Sequence, residues 1–285
     1  EEDSEGTWHN SYTLWQHKGN KIMNWDQKII NYIHDKWGSE KAMRNLNEQY
    51  RYTPPYPTLH LKDFIPEGLP EALYEESITI PEKYWTTFTR ADSYMEECKN
   101  LKHAPVARQL VSALHSPEFL EWLRKVCDVP HLLPDPYLVG AGYMKSYKGD
   151  SLKIHSDFNW NEECQTHRAL SLILYFTPEW EEKWNGDLQF WDFDKQGKVV
   201  SYLPEMGNVV IWKYHKRGFH GHPNPIDCPD DKFRVGFRLF YYIADSKHDW
   251  RDPPHKSLYW YDKDADQPYH LENEYGHGNL DANED

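Results

Sequence analysis

A β-rich barrel, sandwich or jelly roll carried on N-terminal helices is the fold this sequence predicts, and three features predict it. From Tyr137 onward, short apolar runs alternate with glycine, asparagine and proline turns. No helical periodicity separates those runs, which argues against a parallel sheet with crossover helices. Ahead of them, apolar residues recur at helical spacing, so the class is α+β, mainly β. A chain of 285 residues can bury one sizeable core with a smaller helical annex.

The elements follow in order. Ile22, Trp25, Ile29, Ile33 and Trp37 mark one face of an amphipathic helix. Asn47 to Pro70, rich in proline and tyrosine, reads as a loop or extended connection. A second helical zone runs from His103 to Val126, with Ser116 as an N-cap and Pro117 in the first helical position. The predicted strands are Val139–Tyr147, Lys153–Phe158, Ala169–Phe176, Asp187–Phe193, Asn208–Tyr214 and Arg234–Ala244. Gly149-Asp150, Asn185-Gly186, Gly197, Gly207-Asn208 and the stretch Pro223–Pro229 separate them. After about Asp245 the sequence is polar, and Asp252-Pro253-Pro254 interrupts any regular element; the last 20 or so residues are expected to be weakly ordered or dependent on a partner. The expected division is therefore an N-terminal helical and loop region over 1–136, a β-rich core over 137–246 and a polar extension over 247–285.

Composition excludes several function classes. The formal charge is -14, and Lys263 to Asp285 holds seven acids against one lysine, so the tail carries much of it. An acidic surface repels phosphate backbones, and nucleic acid is not an expected partner. No apolar run approaches the roughly 18 residues that a membrane-spanning helix needs. Cys98, Cys127, Cys164 and Cys228 form no C-x-x-C pair, which removes zinc-ribbon and thioredoxin readings. Reduced thiols in a cytoplasmic protein are the expectation. The chain opens Glu-Glu-Asp without a methionine, which leaves room for trimmed residues ahead of it, a signal peptide included. Thirteen Trp and 20 Tyr point to a β-rich core and an aromatic-lined cleft.

Chemistry enters at Ile154-His155-Ser156-Asp157 and, far downstream, Gly218-Phe219-His220-Gly221. Residues two apart on an extended strand point the same way, so His155 and Asp157 can reach one ion together. A third ligand from a distant strand completes one face of an octahedron and leaves positions open, the 2-His-1-carboxylate arrangement of non-haem Fe(II) oxygenases. His220 closes the apolar strand Val209-Val210-Ile211-Trp212 and is the preferred third ligand; His222 and His215 are rivals. Arg234 opens the strand RVGFRLFYY, where a guanidinium offers a planar fork to a carboxylate. Arg238 falls on the same strand face and competes for that role.

From Tyr143 to Ala244 the chain resembles the 2-oxoglutarate- and Fe(II)-dependent oxygenases, specifically their prolyl hydroxylase branch. The resemblance is carried by Tyr147-Lys148-Gly149 ahead of the H-x-D, Arg168 leading a strand that ends in Tyr175, Gly186-Asp187-Leu188, and the His220-Gly221 turn with Pro223. The family's R-x-S is Arg234-Val235-Gly236 here, with glycine in place of serine. The resemblance implies a double-stranded β-helix, a jelly-roll or cupin-like fold, as the catalytic core over 137–246. It implies His155, Asp157 and His220 as iron ligands, Arg234 and Tyr175 as the grip on the distal carboxylate of 2-oxoglutarate, and Tyr147 as a lining of that pocket. Catalytic groups beyond the metal ligands are not expected. The implied activity is dioxygenase hydroxylation of an unactivated C–H with release of succinate and CO2, using Fe(II), 2-oxoglutarate and O2, with ascorbate as a reductant. A prolyl residue in a protein or peptide is the expected substrate; a free amino acid or small metabolite is the alternative, and a metal-binding cupin-like module without turnover is the reading from another class. Asn159–Arg168 and Glu48–Thr89 are expected to frame the entrance, with Tyr52, Tyr56 and Trp160 as candidates to stack on a proline ring.

Overall fold

The computed structural model describes residues 24–90, 93–194, 197–244, 254–261 and 270–273. Helix α1 (Trp25–Trp37) buries Trp25, Ile29 and Ile33, the stripe expected from the spacing. Helix α2 (Glu40–Tyr52) starts at Ser39, whose side chain accepts from the Ala42 N–H at 3.2 Å. Strand β1 (Thr58–Leu61) and helix α3 (Leu69–Thr79) follow. The hairpin β2 (Thr86–Arg90) and β3 (Ser93–Cys98) precedes α4 (Pro105–Leu114) and α5 (Pro117–Cys127). Ser116 caps α5 as expected, accepting from the Phe119 N–H at 3.2 Å.

The β-rich part then runs β4 (Leu132–Pro134), β5 (Gly142–Ser146), β6 (Leu152–Ser156), β7 (Trp160–Asn161) and β8 (Thr166–Tyr175). After these come β9 (Leu188–Asp192), β10 (Gly197–Tyr202), β11 (Val209–Lys213), β12 (His220–His222), β13 (Arg234–Ile243), β14 (Leu258–Tyr261) and β15 (His270–Asn273). Two antiparallel sheets result. The larger runs β1-β11-β8-β13-β5-β3-β2, with β4 on β13 and β7 on β8; the smaller runs β10-β9-β12-β6-β14-β15. They form a double-stranded β-helix.

Strand periodicity sorts the side chains of the large sheet. Leu170, Leu172 and Leu174 of β8, Val209 and Ile211 of β11, and Val235, Phe237 and Leu239 of β13 join the helices in one core. The alternate residues Ile173, Tyr175, Val210 and Trp212 pack with Leu188 and Phe190 of the small sheet. The large sheet is thus covered on both faces, which explains why β8 reads as a continuous apolar run. On β13 the same alternation turns Arg234, Gly236 and Arg238 toward the space between the sheets.

The sequence-based division differs from this architecture in two places. Asn47–Pro70, expected to be a loop or extended connection, contains the end of α2, then β1, which pairs with β11 through Thr58↔Trp212 to Leu61↔Val209, and the start of α3. Thr58-Leu59-His60-Leu61 is short, but the apolar edge of β11 gives it a partner. The extension over 247–285 also contributes: β14 pairs with β6, Leu258↔Ser156 and Tyr259↔His155. The expectation about the final residues falls largely on 274–285, outside the described residues. Among the described residues all four cysteines are free, and no helix is long and apolar enough to cross a membrane.

The contact that matters most for the site is β12 against β6, where β6 carries one extra residue opposite Gly221: His220 pairs with His155 and His222 with Leu152. A Cβ at Gly221 would lie 2.6 Å from the Leu152 carbonyl oxygen and 2.8 Å from that of Lys153. Both are backbone and cannot rotate away. Gly221→Ala is therefore expected to cost about 1–3 kcal/mol in urea denaturation and to weaken metal binding, since it separates the strands that carry the two histidines.

Candidate metal centre

His155 comes from β6, Asp157 from the residues that directly follow it, and His220 from β12. Their ligand atoms all lie within 4.8 Å of one another. The Nε2 atoms of His155 and His220 stand 3.8 and 3.7 Å from Asp157 Oδ1. All three residues are buried.

Each imidazole is oriented by its own strand. His155 Nδ1 is 2.8 Å from the Lys153 carbonyl oxygen, and His220 Nδ1 is 2.8 Å from that of Gly218. A carbonyl only accepts, so Nδ1 donates in both rings and Nε2 keeps its lone pair toward the shared space. Burial, then the neighbouring His220, pushes His155 down to about 3. Burial also lowers His220. Both rings are neutral near pH 7, as metal ligands require.

The carboxylate is oriented as firmly. Burial pushes the Asp157 carboxyl up, but Arg168, His220 and His155 outweigh it and hold the group well below the ordinary carboxylate range. Arg168 Nη1 is 2.8 Å from Asp157 Oδ2, and Ser171 Oγ donates to the same oxygen at 2.9 Å. Oδ1 is left for the histidine side. The Arg168 guanidinium is fully buried between two rings, 3.7 Å from the centroid of Phe158 and 3.4 Å from that of Phe240. Sequence reasoning placed Arg168 only as the head of a strand. The available signal was a cation opening an otherwise apolar run that had to pass a buried aspartate.

The rival residues separate clearly. His215 is exposed, and its Nδ1 accepts from the Arg217 N–H at 3.1 Å. His222 is buried on β12 but outside the three-donor group. Arg238 Nε donates to the Gly140 carbonyl at 2.7 Å and its Nη2 pairs with Glu97, so its charge is met within the chain. Arg234 is only 3% exposed; Nε donates to the Gly186 carbonyl at 2.8 Å and Nη2 to the Tyr175 hydroxyl at 2.9 Å. Among the described residues no carboxylate lies within ion-pair distance of it.

Tyr147 departs from expectation. It is 38% exposed, its hydroxyl donates to Glu96 at 3.1 Å, and its ring lies against Phe233. The structure does not bring it to Arg234 and Tyr175. It follows Ser146, the last residue of β5, so it falls on the other side of the strand.

The donor set opens onto a cleft of about 440 Å³, lined by His155, Asp157, Phe158, Trp160 and Tyr259 among others. Of the expected entrance segments, Asn159–Arg168 supplies Trp160, Glu162 and Glu163, whereas Glu48–Thr89 supplies only Phe88. Tyr52 is 78% exposed and not in the cleft. Tyr56 is buried between the sheets, its hydroxyl donating to the Phe219 carbonyl at 3.2 Å. Tyr259, which sequence reasoning passed over, stacks on His155 with centroids 5.4 Å apart.

Two neutral imidazole nitrogens and one carboxylate oxygen, each fixed by a second bond, suit Fe(II). A buried guanidinium that, among the described residues, bonds a phenol and a carbonyl but no carboxylate suits a carboxylate ligand. Arg168→Leu is expected to lower stability by about 3–5 kcal/mol, because it strands a buried carboxylate. The same variant should weaken Fe(II) binding in an anaerobic titration, and Arg168→Lys should restore part of both.

Residues 142–242 match the family model described as the 2OG-Fe(II) oxygenase superfamily. Among curated proteins, none matches this sequence. Among solved structures, the chain is similar to a prolyl 4-hydroxylase from Phytophthora capsici, with TM-score 0.55 and 16% identity over 81% of this chain and 70% of that one. It is similar to a Trichoplax adhaerens prolyl hydroxylase in complex with a hypoxia inducible factor oxygen degradation domain peptide fragment, with TM-score 0.51 and 13% identity over 73% and 93%. The alpha ketoglutarate-dependent epimerase SnoN from nogalamycin biosynthesis gives TM-score 0.51 and 14% identity over 78% and 86%. At these identities the likeness is one of fold. The match to the 2OG-Fe(II) oxygenase superfamily model, the double-stranded β-helix and the His-Asp-His group coincide on one segment, residues 142–242.

Proposed function

We propose that this protein is a 2-oxoglutarate-dependent dioxygenase that hydroxylates a prolyl residue in a protein or peptide. The observation that carries the oxygenase reading is the His155–Asp157–His220 donor set, with both Nε2 lone pairs and Asp157 Oδ1 turned to one space. These residues hold Fe(II), and Arg234 with Tyr175 holds the distal carboxylate of 2-oxoglutarate. With both bound and O2 as oxidant, oxidative decarboxylation of 2-oxoglutarate would give CO2 and succinate, which takes one oxygen atom of O2, and the other oxygen atom would be placed as a hydroxyl on an unactivated C–H.

The chain's own contribution is to position and to shield. Nδ1–H bonds fix the tautomer of each histidine. Arg168 and Ser171 hold one carboxylate oxygen and orient the other. Phe88, Phe158, Trp160 and Tyr259 line the cleft beside the donor set, and flat aromatic walls accept a pyrrolidine ring and displace water from it. The fold shared with prolyl hydroxylases supports the same assignment.

A second reading has its own observation. Glu97, Lys99, Glu162, Glu163, Arg238 and Lys256 also line the cleft. That mixture of charges favours a free amino acid or another small zwitterion.

The test begins with anaerobic visible absorbance. A charge-transfer band is expected only when Fe(II) and 2-oxoglutarate are both present, and Asp157→Gly should abolish both the band and hydroxylation. Succinate release is then compared with proline-containing peptides and with free amino acids. Stimulation by peptides alone supports prolyl hydroxylation, and stimulation by free amino acids replaces it with the second reading. Iron binding without a band or succinate would leave a metal-binding module without turnover.

A further inference from the structure

Arg234 is not the only polar group between the sheets whose bonding capacity is unmet. Ser146, fully buried, ends β5 directly opposite Arg234 on β13. Residues directly opposite in an antiparallel pair have Cβ atoms about 4.5–5.5 Å apart on the same face. Met144, two residues earlier on β5, packs between the sheets, so Ser146 faces the same space. Its Oγ has no hydrogen-bond partner among the described residues.

His222 presents a second case. It lies two residues beyond His220 on β12, is 1% exposed, and neither Nδ1 nor Nε2 has a partner among the described residues. The extra residue, opposite Gly221, belongs to β6, so β12 keeps its alternation and His222 shares the face of His220. Its ring lies within electrostatic reach of both Arg234 and His155. A neutral imidazole carries one donor and one acceptor, and burying both without partners is costly.

Gly236 adds the complementary observation. A Cβ there would meet the Leu174 carbonyl oxygen at 2.8 Å, Met144 Cε at 2.9 Å and Tyr175 Cδ1 at 3.1 Å. The position two residues beyond Arg234 has no room for a hydroxyl-bearing side chain. The hydroxyl beside Arg234 comes instead from across the strand pair, at Ser146.

We propose that Ser146 and His222 are cosubstrate-binding residues: the Ser146 hydroxyl donates to the distal carboxylate held by Arg234 and Tyr175, and a His222 ring N–H donates to an oxygen of the same 2-oxoglutarate molecule. This rests on the oxygenase reading above. It assigns two unmet buried polar groups, Ser146 and His222, to one dianionic ligand, and it explains why the site tolerates glycine at 236.

The test is an anaerobic titration of 2-oxoglutarate into the Fe(II)-loaded full chain, read by the charge-transfer band, for wild type, Ser146→Ala, His222→Leu and His222→Gln. Loss of a hydrogen bond to a charged group should raise the 2-oxoglutarate Kd by about tenfold or more in Ser146→Ala and His222→Leu. His222→Gln, which keeps a donor, should stay closer to wild type. Fe(II) affinity without 2-oxoglutarate should be unchanged, and thermal stability without it should not fall. Unchanged Kd in both Ser146→Ala and His222→Leu, with the wild-type band present, overturns the inference and leaves both residues as packing. Loss of Fe(II) affinity in His222→Leu overturns it by making His222 a metal ligand. Absence of the band in wild type refutes the oxygenase reading itself.

Discussion

The site depends on how two strands of the small sheet meet. His220 and His155 face each other across β12 and β6, and Asp157 follows where β6 ends. Neither strand is long; β12 has three residues, and its central glycine lets it approach the β6 backbone closely. Everything else around the donor set holds that meeting in place. Phe190 and Trp212 pack against His220 from the inter-sheet core, and Tyr259 stacks on His155 from the other flank. Bonds from each Nδ1 to a carbonyl two residues back leave the rings little freedom to turn. The geometry is therefore built before any metal arrives, as a preorganised site requires.

A charge arrangement separates the two halves of the interior. Arg234 and Arg238 sit on the same face of β13, four residues apart, yet their surroundings differ in kind. Glu97 of β3 meets Arg238 at the cleft, whereas among the described residues Arg234 meets a phenol and a backbone carbonyl and no carboxylate. Burying an unpaired guanidinium is expensive, and a protein that retains one has a use for its charge. Asp157 shows the opposite solution, with a cation clamped between Phe158 and Phe240 dedicated to a single carboxylate oxygen. One carboxylate is neutralised internally and one cation is not.

Much of this was legible in the residues. The H-x-D pattern and the distant His220 were enough to name the candidate donor set, because strand alternation is a local property, while the strand headed by Arg234 left Arg234 and Arg238 both as candidate anchors. The strands of the core were legible for the same reason, and Ser116-Pro117 marked α5 through capping chemistry alone. What escaped was non-local. Arg168 acts through a partner eleven residues upstream and two aromatic rings, Phe158 between β6 and β7 and Phe240 on β13. Arg238 is paired with Glu97, a partner that nothing in the RVGFRLFYY strand reveals. Tyr147 was misplaced by one residue of alternation at a strand end, where Ser146 takes the inward side. β1 and β14 are too short to announce themselves, and each exists because a neighbouring strand offers it an edge.

That last point has a consequence for where this domain ends. The stretch that carries the family match closes at residue 242, and β14 lies beyond it. β14 occupies the side of β6 away from β12, so it caps the flank of the strand that presents His155. A polypeptide cut at the family boundary would leave that flank as a row of unsatisfied N–H and C=O groups, the kind of template on which copies of a chain add to one another. Self-association, as much as loss of metal affinity, is what removal of the acidic C-terminal region would bring.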